Sequence, residues 1–108
     1  MSESFTAVLA RLQATIAARK GADPTGSYTA GLLADPARAA KKLGEEAVET
    51  IIAALGEDAD ALAGESADLI YHWLVLLAAK GVGLDAVAAK LAAREGRSGL
   101  EEKASRGS

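Results

Sequence analysis

The sequence predicts an all-α protein of four to five helices packed as a bundle. Three observations predict it. Apolar residues recur at i, i+3, i+4 and i+7 along most of the chain, the spacing that gathers them on one face of a helix. No segment makes a strong strand candidate. Glycine and proline fall between the periodic runs, where they punctuate helices instead of interrupting them.

Taken in order, Phe5, Val8, Leu9, Leu12 and Ile16 form the stripe of a first helix that stops near Gly21. Residues 22–35 contain Pro24, Gly26 and Gly31 and read as a loop. Asp35-Pro36 opens the next helix, an N-cap acceptor followed by proline at the first helical position. Its stripe is Val48, Ile51, Ile52 and Leu55, predicted to be buried, and Gly56 ends it. Another helix starts between Glu57 and Asp60 and runs to Lys80, where Gly81 stops it. Leu84, Val87, Ala88 and Leu91 mark a short last helix. Residues 1–96 thus form one helical domain and 97–108 a polar tail, with no internal repeat.

The helix ending at Lys80 is apolar nearly all round in its second half, at Leu69, Ile70, Trp73, Leu74, Val75, Leu76 and Leu77. Such a helix needs cover on every side. A bundle this small can hardly supply it alone, so a homodimer is expected.

Composition sets the class. The chain has 108 residues and 11.0 kDa, with 50% hydrophobic, 25% charged and 4% aromatic residues, a balance that excludes disorder. A net charge of −3 argues against a nucleic-acid partner. The absence of cysteine removes disulfides, thiolate nucleophiles and zinc-thiolate sites, and a single histidine removes any site needing two from one chain. The longest apolar stretch, 69–79, is broken by His72 and falls short of the ~20 residues that span a bilayer. With no signal peptide at the start, a soluble cytoplasmic protein is expected and no membrane partner.

The modest net charge conceals a concentration of acids. Residues 41–68 hold two lysines against eight acids, a net −6 that leaves +3 for the rest. On a helical wheel with Val48 at 0°, Glu45 falls near 60°, Glu49 near 100° and Glu46 near 160°. Glu45 and Glu49 therefore border the apolar stripe, and the wheel favours Glu45 over Glu46 as inward-facing. On the following helix Glu65, Asp68 and His72 share an apolar face with Leu69 and Leu76. Two helices thus aim carboxylates at a packing interface. Two like charges ~4 Å apart repel by roughly 4 kcal/mol at an effective dielectric near 20. A divalent cation relieves that cost, and an all-oxygen donor set suits Mg²⁺ or Mn²⁺ better than zinc or copper. Taken alone, Glu45, Glu46 and Glu49 are an ordinary solvated face; the second set at i, i+3 tips the balance to metal.

A di-iron bundle would need Glu-x-x-His twice, and it does not occur twice. His72 is expected to be a satisfied core histidine, and Tyr71 and Trp73 packing residues. Gly44, on the apolar stripe, leaves room for close helix approach; Gly64 reads as part of a frayed first turn. Basic residues flank the acids at Arg38, Lys41 and Lys42, recur at Arg94 and Arg97, and end at Lys103 and Arg106. Cations beside a carboxylate–metal site are what a polyphosphate substrate requires.

Glu45-Glu46-x-x-Glu49 followed by Glu65-x-x-Asp68 resembles the EExxE…ExxD signature of the MazG-like all-α nucleoside triphosphate pyrophosphohydrolases. Further segments narrow the resemblance: Ser27-Tyr28-Thr29, residues 41–47, Asp68-Leu69-Ile70-Tyr71-His72, Arg94 to Arg97 and the stretch 98–103. Within that superfamily the chain is most similar to the phosphoribosyl-ATP pyrophosphatases of histidine biosynthesis, from Phe5 to Arg106. The resemblance implies Mg²⁺-dependent cleavage of phosphoribosyl-ATP to phosphoribosyl-AMP and pyrophosphate by a cytoplasmic dimer or larger assembly. It implies a stand-alone enzyme too, since the cyclohydrolase often fused to it uses zinc and cysteines.

The family positions that match make Glu46, Glu49, Glu65 and Asp68 the expected Mg²⁺ ligands, with Glu45 joining them or one shell out. The expected chemistry is direct attack of a water held by carboxylates, with Glu45 or Glu46 taking its proton. Lys41 and Lys42, about one turn before Glu45 and Glu46, are expected at phosphate oxygens. Arg94 and Arg97, with Ser98 and Gly99, are the candidates for a ribose phosphate, and Tyr28 for the adenine or ribose. Two other functions fit the same residues: a housekeeping nucleoside triphosphate pyrophosphohydrolase, and, more distantly, a non-catalytic helical dimerisation module.

Overall fold

Every regular element in the computed structural model, which describes residues 3–96, is a helix. They are α1 (Phe5–Ala18), α2 (Tyr28–Leu33), α3 (Pro36–Leu55), α4 (Ala59–Ala79) and α5 (Leu84–Arg94). The tail residues Arg97, Ser98, Gly99, Lys103 and Arg106 lie outside the described residues.

The helix starts are set by short polar side chains. Ser4, Ser27, Asp35 and Asp58 each accept a hydrogen bond from a backbone N–H in the first turn that follows. Pro36 fills the first position of α3 as its fixed φ favours. At the end of α4, Gly81 adopts φ +70°, while its N–H bonds the Ala78 carbonyl and the Val82 N–H reaches back to that of Leu77. This paired closure needs the left-handed conformation that glycine supplies cheaply.

α2 corrects the expectation of a loop over residues 22–35. Six residues are too few to show helical periodicity, and Gly31 sits inside the helix instead of breaking it. The element forms because Ser27 caps it and because Ala30 and Leu32 bury completely against the rest of the chain.

α4 is the central element, in contact with α1, α2 and α3. The core consists of Ile16, Leu32, Ala39, Leu74 and Val75, with Leu9, Leu12, Ile70 and Leu84 packed around it. Even so, α4 is not covered on every side: Leu43, Leu69, Ile70 and Trp73 line an open apolar hollow. Among the described residues no helix is long and apolar enough to cross a membrane.

The stripe on α3 is a second correction. Val48, Ile51, Ile52 and Leu55 remain 54, 60, 59 and 85% exposed. The less exposed line on α3 runs instead through Ala39, Lys42, Leu43, Glu46, Ala47, Thr50 and Ala53. Small and polar residues let α3 lie close to α4, and the apolar edge is left outward. Gly44 shares that outward edge, and a Cβ built there meets nothing within 4 Å, so it serves no helix approach inside the protomer. Gly64 lies well inside α4, not in a frayed first turn.

Candidate active site

The outward turn of the apolar stripe decides which acids meet. With that stripe facing away, Glu46 rotates toward α4 and Glu45 toward solvent, the reverse of the wheel's preference. On α4, Glu65 and Asp68 stand one turn apart on the facing side. One carboxylate oxygen each from Glu46, Glu65 and Asp68 lies within 4.8 Å of the others. Glu49 is not in that group, but its charge acts on Glu65.

Thr50, which no local pattern singles out, ties the helices at this level. Thr50 Oγ1 lies 2.8 Å from the Glu46 carbonyl oxygen and 3.2 Å from that of Glu65, so its hydroxyl donates across the α3–α4 interface. The carboxylates are therefore held together by backbone and hydroxyl contacts, although their charges oppose it.

That opposition is visible in Glu65. Removal from water raises its pKa above the ordinary carboxylate value, and the charges of Glu49, Asp68 and Glu46 raise it further. Among the described residues, Lys42 is the cation paired with this group at its edge. Lys42 Nζ lies 3.2 Å from Glu45 Oε2 and 4.0 Å from Glu46 Oε1. Its pKa is raised, first by the hydrogen bond to Glu45 and next by the Tyr28 phenol and the Glu45 charge. Lys41 is exposed, one position further round α3.

The first residue of α2 brings an aromatic ring to the same end of the molecule. Tyr28 is 49% exposed, with its hydroxyl 3.0 Å from His72 Nε2. The Arg38 guanidinium carbon lies 5.8 Å from the Tyr28 ring centroid. His72 is buried and both its ring nitrogens have partners, in keeping with a satisfied core histidine. Tyr71 packs as expected but also pairs its hydroxyl with Thr29 Oγ1, a link that no local pattern reveals.

Among the described residues the acidic centre thus draws on α3 and α4, with Lys42 and Tyr28 at its border. Arg94 closes the last turn of α5. Arg97 and Ser98, the other expected substrate contacts, lie outside the described residues.

The donor set fits a hard divalent cation. All three groups offer oxygen, and Mg²⁺ at 2.0–2.1 Å from its ligands requires oxygen separations of about 3 to 4 Å, a small contraction from the observed spread. With two or three carboxylates from one side, the remaining positions are left for water and phosphate oxygens, the usual way Mg²⁺ is held.

Comparison with known proteins identifies the family. Residues 9–95 match the model of the family described as phosphoribosyl-ATP pyrophosphohydrolase. A protein of Caulobacter vibrioides named phosphoribosyl-ATP pyrophosphatase is 72% identical over 106 residues, covering 98% of this chain and 99% of its own. Its namesake from Caulobacter sp. strain K31 is 73% identical over 106 residues, 98% of each chain. The one from Dinoroseobacter shibae is 61% identical over 100 residues, 92% of this chain and 98% of its own. With residues 9–95 matched by that family's model and nearly its whole length aligned with relatives of that name, the chain belongs to the phosphoribosyl-ATP pyrophosphohydrolase family.

Proposed function

We propose that this protein hydrolyses phosphoribosyl-ATP to phosphoribosyl-AMP and pyrophosphate, a step of histidine biosynthesis, in the cytoplasm and with Mg²⁺ as cofactor. The observation that carries the reading is the convergence of Glu46, Glu65 and Asp68 beside Lys42, in a chain 72% identical over nearly its full length to a relative of that name.

Glu46, Glu65 and Asp68 would hold the Mg²⁺, with Glu49 completing the acidic wall; Mn²⁺ has the same oxygen preference and would substitute. When bound, the cation neutralises triphosphate charge and polarises the bond that breaks. The chain's own residues do the rest. Lys42, already at the rim, swings from Glu45 to a phosphate oxygen, and Lys41 adds charge from the next position. Glu45, solvent-facing and released from Lys42, accepts a proton from the water that attacks phosphorus. A P–O bond forms to that water and the bridging α–β P–O bond breaks, leaving the phosphoribosyl-AMP and pyrophosphate ends. With the carboxylates engaged as metal ligands and base, the attack comes from water and hydrolysis is direct. Tyr28 borders the nucleoside end, and Arg94 and Arg97 with Ser98 remain the candidates for the ribose phosphate.

The working unit is proposed to be a homodimer. The support is the apolar edge of α3, where Val48, Ile51, Ile52 and Leu55 lie together in the open. Water-exposed apolar surface of that continuity marks an interface. A flush Gly44 on the same edge allows a second helix to come close.

Initial rates with phosphoribosyl-ATP, ATP, dUTP and dCTP, each with Mg²⁺, test the activity. Turnover of phosphoribosyl-ATP well above the other three is expected. Preference for dUTP or dCTP would replace this reading with a housekeeping triphosphate pyrophosphohydrolase, and no turnover of any would leave a dimerisation module.

A further inference from the structure

His72 is the buried polar side chain of the described residues, and the hydrolysis above does not employ it. Its hydrogen bonds assign a role to each ring nitrogen. Nδ1 lies 2.7 Å from the Asp68 carbonyl oxygen, which only accepts, so Nδ1 carries the hydrogen. In the Nδ1–H tautomer Nε2 is an acceptor, and the Tyr28 hydroxyl 3.0 Å away donates to it. The imidazole is wedged edge-on between two tyrosines, with ring centroids 6.0 Å from Tyr28 and 4.9 Å from Tyr71. The neighbouring residues repeat the connection, Thr29 on α2 to Tyr71 on α4.

Two consecutive residues of α2 are therefore fastened to two consecutive residues of α4. α2 has only six residues, too few to hold a shape unaided. Tyr28, at its first position, is half exposed and would sweep a wide arc if its hydroxyl were free. The fastening starts from the turn of α4 that carries Asp68, so ring and carboxylate share one rigid base.

We propose that His72 is a positioning residue for substrate: Nε2 fixes the Tyr28 phenol so that its ring stands as a preset wall for the nucleoside end, in register with the carboxylates of Glu46, Glu65 and Asp68. The inference rests on the reading of Tyr28 as a substrate contact. A ring already in place spares the complex the cost of ordering it, so the benefit falls on KM more than on kcat.

Steady-state kinetics with phosphoribosyl-ATP on Tyr28→Ala, Tyr28→Phe, His72→Leu, His72→Gln and the Tyr28→Phe/His72→Leu pair test this. Tyr28→Phe and His72→Leu are each expected to raise KM about fivefold, the effect of one lost hydrogen bond, with a much smaller change in kcat. The pair is expected to be no worse than either alone. His72→Gln, whose amide oxygen offers an acceptor near the Nε2 position, is expected to recover most of the loss, which a merely structural role would not predict. Additive effects, or His72→Gln no better than His72→Leu, overturn the inference. Should His72→Leu not fold, Tyr28→Phe decides, and an unchanged KM refutes the proposal. An unchanged KM in Tyr28→Ala overturns the placement of substrate itself; a raised KM there beside a normal His72→Leu overturns only the role of His72.

Discussion

The Thr50 hydroxyl on α3 stands 3.2 Å from the Glu65 carbonyl oxygen on α4, at the level where the acidic side chains of the two helices converge. Replacing Thr50 with Val keeps the branched shape and removes the donor. A loss of about 1 kcal/mol is expected. For a domain of this size that lowers the melting temperature by roughly 4–8 °C. Scanning calorimetry on Thr50→Val checks it, and a wild-type melting temperature would mean the contact contributes nothing.

Metal affinity should rank the acids by their place in the cluster. Glu46→Gln, Glu65→Gln and Asp68→Asn are each expected to weaken Mn²⁺ or Mg²⁺ binding by tenfold or more, on the order of 1.4 kcal/mol. Glu49→Gln, outside the close group, should weaken it less. Calorimetric titration of the four variants gives the order. Equal losses in all four would place Glu49 among the direct ligands.

Glu65 makes the metal-free protein sensitive to pH in a defined direction. Its folded pKa lies above the unfolded one, so over the interval between them the folded state binds more protons. Stability from this group is present below the unfolded pKa and is lost as pH rises through the folded value. In chelator, Glu65→Gln should therefore melt higher than wild type at pH 7, with the advantage shrinking toward pH 4. Added Mg²⁺ should reverse the order at pH 7, because it binds the folded wild type. Parallel melting curves that never cross would contradict the origin assigned to the shift.

Ile52 tests the assembly. Ile52→Asp puts a charge in the middle of the exposed apolar edge of α3 while touching nothing in the core. Sedimentation equilibrium is expected to show wild-type dimers and monomers of the variant, with helical content retained. A dimeric Ile52→Asp would move the interface to another face.

Much of this arrangement was legible in the residues. Asp35-Pro36 and Gly81 marked helix ends because capping chemistry is local. Glu65 and Asp68 were placed together by their i, i+3 spacing alone. The facing of α3 was not legible. Apolar periodicity reports that Val48, Ile51, Ile52 and Leu55 avoid water, but not whether their own protomer covers them. That ambiguity turned the wheel the wrong way for Glu45 and Glu46. α2 escaped because it is held by distant partners: Tyr28 and His72 are 44 positions apart, and Thr29 and Tyr71 42. No local pattern encodes such pairs.

α3 and α4 are joined by only residues 56–58, a turn closed by the Gly56 N–H on the Ala53 carbonyl and capped by Asp58. Contacts between sequence neighbours form early, since little chain entropy is lost in closing so short a connection. The acidic centre is therefore assembled by a hairpin that can zip before the remaining helices dock. In the absence of cations the same closing drives the carboxylates of Glu46, Glu65 and Asp68 together and is slowed by their repulsion. If Mg²⁺ binds there as proposed, it acts on the speed of folding as well as on the reaction, and becomes part of how the chain reaches its shape.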